Sequence, residues 1–170
     1  MLYQQIHNLL CELQISFSEI QHEASTSCDH SKELRSKAWL VGVGSKNIVF
    51  HAKWNFYVVT TLWDKDIKAR NFKHEFGTKD IRFASQEEIS AQIGATIGSI
   101  PPFGFSNKTI PVYVDEEIFS HEFFCFNPWD PTLSVQISTE DLRKVYTSLS
   151  NPCTFFRFTE DTKEFTSLTR

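Results

Sequence analysis

Between Gly94 and Gly104 the chain reads Gly-Ala-Thr-Ile-Gly-Ser-Ile-Pro-Pro-Phe-Gly, with three of its six glycines and two of its six prolines. So few polar side chains leave this stretch to act through its backbone. Glycine admits positive φ and the close approach of a ligand, and proline fixes φ and stiffens a turn. The expectation is a rigid loop whose N–H groups, around Gly98, Ser99 and Ile100, can face an anion or a carbonyl oxygen. The plainer alternative is a connection between a helix and a strand. A second candidate is Lys46, just ahead of the strand-like Ile48-Val-Phe. Its amine can supply a fixed positive charge, whereas general-base action requires strong desolvation. A solvent-facing lysine at a strand start is the ordinary case. Asn127 opens Asn-Pro-Trp-Asp-Pro and can hydrogen-bond a ligand or simply begin a turn.

His22, Cys28, Asp29 and His30 are neighbours in sequence. Nucleophilic Cys–His pairs are usually assembled from distant segments, so this proximity carries little. His51, His74 and His121 lack metal-ligand spacing. The four cysteines, at 11, 28, 125 and 153, show no CxxC pairing and read as reduced thiols of a cytoplasmic protein.

The elements that must position these residues follow from periodicity. Leu2, Ile6, Leu9, Leu10 and Leu13 fall on one side of a helix, and 17–22 alternate like a short strand. A short helix is expected from Ser31 to Lys37. Ile48–Phe50 and Phe56–Leu62 form a hairpin around Ala52-Lys-Trp-Asn. Asp64 or Asp66 can cap a helix carrying Ile67, Phe72 and Phe76, stopped by Gly77. A strand is expected near Ile81–Ala84, and Ser85-Gln-Glu-Glu88 has capping-box form for the next helix. Pro111–Asp115, Glu122–Phe126 and Leu133–Ile137 read as strands, and Ser138 caps a last helix carrying Leu142, Val145 and Leu149. The expectation is one domain over residues 1–150, of mixed α/β or α+β class, with 151–170 as a partly frayed extension. The chain is long enough for a substantial core, and nothing in it reads as a bilayer span or a signal peptide.

Net charge is −4, but Ser31–Arg82 holds 11 Lys and Arg against 5 Asp and Glu. That asymmetry suits a basic face for a phosphate-bearing partner, with the segment from Lys65 to Lys79, and in it Lys65, Lys68, Arg70 and Lys73, as its backbone contacts. It also suits a solvated lysine-rich surface.

Three pieces taken together resemble one family. They are Ser45-Lys-Asn-Ile-Val-Phe50 opening a hairpin, Phe83-Ala-Ser85-x-x-Glu88 before a helix, and Gly98-Ser-Ile-Pro-Pro102-Phe-Gly104. In this order they resemble the YbaK/prolyl-tRNA-editing superfamily, also called the prolyl-tRNA synthetase-associated or insertion-domain family, over roughly His22 to Leu149. The resemblance implies a mixed α/β fold around a curved, mostly antiparallel sheet. It implies hydrolysis of the ester between a wrong amino acid and the 3′ end of a tRNA, with no metal or organic cofactor. Lys46 corresponds to the family lysine, and Gly98 and Pro102 to its Gly-x-x-x-Pro element. Gly98, Ser99 and Ile100 then serve the oxyanion, while Thr26, Ser27, His30, Asn47, Pro101, Pro102, Phe103 and Asn127 line the substrate pocket. Trp54, Trp63 or Phe103 are candidates to stack on the terminal adenine. The implied partners are aminoacyl-tRNA and a synthetase, with no DNA or membrane. Many alanine-removing members carry His-Pro where this chain has Asn127-Pro128, so that specificity does not transfer. The readings from other classes are a silent module that binds tRNA or a synthetase, and a small-molecule binding protein.

Overall fold

The computed structural model describes residues 2–24, 27–159 and 164–168. Helix α1 (Leu2–Glu12) turns Leu2, Ile6 and Leu10 inward at helical spacing. β1 (Ser18–Gln21) follows, and α2 (Cys28–Lys37) starts where the Ser27 hydroxyl accepts the His30 amide. The long hairpin is β2 (Val43–Ala52) and β3 (Asn55–Leu62), in register from Ser45↔Leu62 to Ala52↔Asn55. β4 (Ile81–Phe83) precedes α3 (Gln86–Gln92), whose capping box joins Ser85 and Glu88 as its sequence foretells. β5 (Val112–Asp115), β6 (Phe123–Phe126), β7 (Leu133–Ser138), α4 (Thr139–Ser148), β8 (Cys153–Thr159) and β9 (Glu164–Leu168) complete the described elements.

The nine strands form one mixed sheet in the order β1-β7-β6-β2-β3-β5-β8-β9, with β4 paired to β2. Five of the eight pairings are antiparallel, and β2–β6, β3–β5 and β5–β8 are parallel. Alternation along the central strands gives the sheet two apolar faces. Val49, Val58, Val112 and Val114 face the larger core under α1, α3 and α4, together with Ile100, Phe103 and Phe105. Phe50, Val59, Tyr113, Phe156 and Phe158 face a smaller, aromatic core with Ile67 and Phe72.

Two expectations change. The segment after Asp64 is not a helix: only a 3-10 turn at Ala69–Phe72 forms, because Phe72 and Ile67 are drawn as plugs onto the sheet. The stretch after residue 150 holds a strand of the sheet: β8 lies parallel beside β5, with Phe155 in the larger core, Phe156 and Phe158 in the aromatic one, and Arg157 exposed. The tail residues 160–163, 169 and 170 lie outside the described ones.

One edge of β2 matters for the site. Val43 and Gly44 pair with β6, while Phe50–Ala52 pair with β4. The stretch 45–48 between them has no strand on that edge among the described residues, and the loop after α3 enters there.

Candidate active site

The loop 94–104 is fastened by side chains from three elements. Asn47 of β2 donates from Nδ2 to the Ile100 carbonyl at 2.8 Å. Gln86 of α3 accepts from the Ile97 amide at 2.8 Å and donates to the Ala95 carbonyl at 3.2 Å. The Trp129 indole, on the turn after β6, donates to the Gly94 carbonyl at 2.7 Å. Below the loop Phe103 is wholly buried, its ring 5.1 Å from Phe126 and 6.1 Å from Tyr146. Pro101 and Pro102 are buried too, while Thr96, Ile97 and Gly98 stand exposed. Gly98 and Gly104 take φ +92 and +90.

The Ser99 amide closes a turn on the Thr96 carbonyl at 3.0 Å, and its hydroxyl lies 2.8 Å from that of Thr96. Its N–H is therefore spent, against the expectation that Ser99 shares in the cradle. The amides of Gly98 and Ile100 have no partner among the described residues. A rigid loop with two unspent donors can stabilise a developing oxyanion. Asn47 adds an acceptor, for its Oδ1 is buried without a partner.

Lys46 points away from Asn47 by strand alternation and is half-buried. Its ammonium donates to the Lys65 carbonyl at 2.5 Å. No hydrogen bond joins Lys46 to the loop among the described residues. Lys65 itself is buried and bound to Asp115 at 2.8 Å and Glu117 at 2.6 Å, while Thr61 donates to the same Asp115 oxygen at 2.6 Å. Burial works to lower the Lys65 pKa, but the two carboxylates prevail and hold it raised. Lys65 is thus an internal tie and not a free phosphate contact, which corrects its sequence assignment. Sequence reasoning missed this network because Asp115 reads only as the end of a strand.

Among the other expected contacts, Lys68, Arg70 and Lys73 are exposed, with Lys68 paired to Asp66 at 2.7 Å. Asn127 donates from Nδ2 to the Leu133 carbonyl at 2.6 Å and closes its own turn. That turn reaches the Gly94 loop through Trp129. His30 lies 3.4 Å from Glu23. Thr26 and the Cys28 side chain lie outside the described residues. Phe103 offers no stacking surface because it is core, a correction to its expected role. Trp63 lies under the Lys32 ammonium, 5.1 Å from its ring centre. Trp54 is at the hairpin tip, in the turn between Ala52 and Asn55 and eight positions along the chain from Lys46. Burial lifts the Cys125 thiol to about 11 against a smaller pull from Arg35, so it is inert at neutral pH. Among the described residues no cluster of three or more His, Cys, Asp or Glu could hold a metal, and no helix is long and apolar enough to cross a membrane.

Residues 24–145, more than half of the chain, match the family model of the aminoacyl-tRNA editing domain. The chain belongs to that family. The editing domain is 24% identical over 149 residues to "Prolyl-tRNA editing protein ProX" of Acetoanaerobium sticklandii, covering 84% of this chain and 88% of that one. It is 27% identical over 148 residues to "Multifunctional Ser/Thr-tRNA deacylase ProXp-y" of Escherichia coli strain K12, covering 84% and 87%. A proline–tRNA ligase of Shouchella clausii is 51% identical over 49 residues, which is 29% of this chain and only 8% of the ligase. The solved structure of a candidate trans-editing enzyme for prolyl tRNA synthetase superposes with TM-score 0.71 at 19% identity, over 89% of this chain and 94% of that one. The likeness of fold extends beyond the matched family segment and includes the mixed sheet.

Proposed function

We propose that this editing domain is a free-standing aminoacyl-tRNA deacylase that hydrolyses the ester of a mischarged tRNA, of the tRNA(Pro) type. The carrying observation is the loop 94–104, held by Asn47, Gln86 and Trp129 with the Gly98 and Ile100 amides unspent. Family membership supplies the reaction class, and the nearly end-to-end match to an editing protein and a deacylase supports the free-standing form. The local match to a proline–tRNA ligase supports the tRNA.

In this reading a water attacks the ester carbonyl carbon with the ribose 2′-hydroxyl assisting. The tetrahedral oxyanion accepts from Gly98 and Ile100, the bond to the 3′-oxygen breaks, and that oxygen leaves with a proton. Each well-aimed donor is worth on the order of 10²–10³ in rate. Lys46 exchanges the Lys65 carbonyl for the terminal phosphate or for the developing charge. Asn47 offers its unpartnered Oδ1 to the aminoacyl group or a ribose hydroxyl, and Pro101 and Pro102 hold the loop still. His30 and Asn127 flank the entrance, and Lys68, Arg70 and Lys73 meet backbone phosphates.

The test is a panel of aminoacyl-tRNAs, including alanyl-, cysteinyl-, seryl- and threonyl-tRNA, with wild type and Lys46→Ala side by side. Rapid loss of one ester, slowed at least a hundredfold in the variant, is expected. Stability of every ester with tRNA still bound would leave a silent binding module instead. Full activity in Lys46→Ala would remove the role given to that lysine.

A further inference from the structure

An open cavity of about 580 Å³ lies at the far end of the long hairpin, lined by Lys53, Lys73, His74, Gly77, Thr78 and Lys79. That lies within the range of ligand pockets, about 300–1,000 Å³. No carboxylate pairs with Lys53, Lys73 or Lys79 among the described residues, whereas Lys37, Lys65, Lys68 and Lys144 all have acidic partners. The nearby Glu75 is engaged by the Tyr113 hydroxyl, and Asp80 lies at the rim, its carbonyl accepting the Lys53 amide at 3.2 Å. Three free ammonium groups around one concavity make an anion site.

Beside it Trp54 is 91% exposed, a large aromatic face with nothing covering it among the described residues. Lys53 adds a second oddity. It is the first of the two residues that turn β2 into β3, and it takes φ +55. Glycine is the usual occupant where such a turn needs positive φ, and a side chain there is strained. The chain keeps a lysine, which places an ammonium at the cavity mouth.

The position fits a long ligand. Lys53 follows Lys46 by seven positions along β2 and into its turn, a span of about 23 Å at ~3.3 Å per position. Lys68, Arg70 and Lys73 lie exposed on the segment that covers this face of the sheet. We infer that the Lys53–Lys73–Lys79 cavity is a second RNA-backbone site, seating a phosphate and ribose of the tRNA several nucleotides from the ester, with Trp54 packing on a sugar or an unpaired base. Free nucleotides share this chemistry, so the test must separate the two sources. The inference rests on the deacylase reading for its choice of RNA.

The experiment is tRNA binding by the full chain across a salt series, with wild type, Lys53→Gln/Lys79→Gln and Trp54→Ala, alongside deacylation kinetics. Each lost phosphate contact lowers the slope of log K against log salt by about one. The double variant is expected to lose about one to two from the slope and to raise KM on full-length tRNA about tenfold with little change in kcat. That rise should shrink on a short aminoacyl oligonucleotide that cannot reach the cavity. Trp54→Ala should weaken binding severalfold with the slope intact. Lys53→Gly guards against misfolding: it should raise Tm by relieving the strained turn and still weaken tRNA binding. An unchanged slope and KM in the double variant would overturn the inference, and would leave the deacylase reading standing. Tight binding of a mononucleotide at the cavity, with tRNA binding unaffected by the variants, would overturn it in favour of the free ligand. Loss of slope in a chain that hydrolyses no ester would sustain the cavity and sink the deacylase reading.

Discussion

Gly98 and Gly104 end the same seven-residue arc with nearly the same φ, yet they are held by different physics. At Gly98 a Cβ would meet nothing within 4 Å, so alanine brings only the left-handed strain. That is about 1–2 kcal/mol. At Gly104 a Cβ would stand 2.4 Å from Ile6 Cγ1 on α1, adding overpacking to the strain. We expect Gly104→Ala to cost roughly 2–5 kcal/mol in urea denaturation and Gly98→Ala only the smaller amount. Ile6→Ala should soften the Gly104 effect in a double-mutant cycle, and a strictly additive pair would sink this account. Gly98→Ala should nonetheless slow ester hydrolysis more than Gly104→Ala slows it in molecules that remain folded, because the Gly98 amide is one of the two donors we propose for the oxyanion. A residue type legible in the sequence thus splits into an open loop position and a packed one, and only the neighbours reveal which is which. The same holds for Lys46 and Lys65. Both read as basic candidates, but a buried carboxylate, invisible at that spacing, claims Lys65.

At the scale of elements, α3 is the piece the sequence describes best and the piece most exposed to acid. Its capping box was legible because Ser and Glu stand at N-cap and N3, a purely local signal. The Arg82 guanidinium first, then the Ser85 amide, hold the Glu88 carboxyl down at about 2. His51 Nδ1 also lies 2.8 Å from Glu88. A folded pKa below the ordinary carboxylate value means the native state favours the ionised form. The stabilisation is complete above about pH 4.5 and is lost as pH falls toward about 2. We expect chemical denaturation of the wild type to show a steeper fall in stability across that window than Glu88→Gln does. Identical slopes would remove Glu88 from the acid response. Since β4, β2 and α3 meet at this residue, and α3 carries Gln86, early acid loosening should reach the loop 94–104 that Gln86 holds. The segment 64–77 departs from its local pattern for the opposite reason. Its apolar spacing is compatible with a helix, and tertiary burial of Ile67 and Phe72 on the sheet overrides that local pattern.

For the whole molecule, the decisive illegible feature was the order of strands. A parallel neighbour far away in sequence leaves no local trace, so β8 read as a short apolar run before a polar tail. In the sheet it is an inner strand between β5 and β9, with Phe155 packed into the larger core and Phe156 and Phe158 into the aromatic one. Burying a phenylalanine contributes about 1.5–3 kcal/mol. Three of them rival the total stability of a domain, typically about 5–15 kcal/mol. Removing residues 151–170 would also bare the edge of β5, whose side chains are buried throughout. An uncovered apolar edge invites pairing between chains. The truncated chain is therefore expected to be insoluble or molten, with exposed apolar surface that binds ANS and no cooperative unfolding transition. A truncated chain that stays monomeric and unfolds cooperatively near the wild-type midpoint would mean that the editing unit ends near residue 150 after all. The site lies in the part that the family model covers, but the sheet that carries Lys46 and Asn47 is closed from outside it. Changes in β8 should accordingly appear as lost stability in denaturation before they appear as altered chemistry in deacylation.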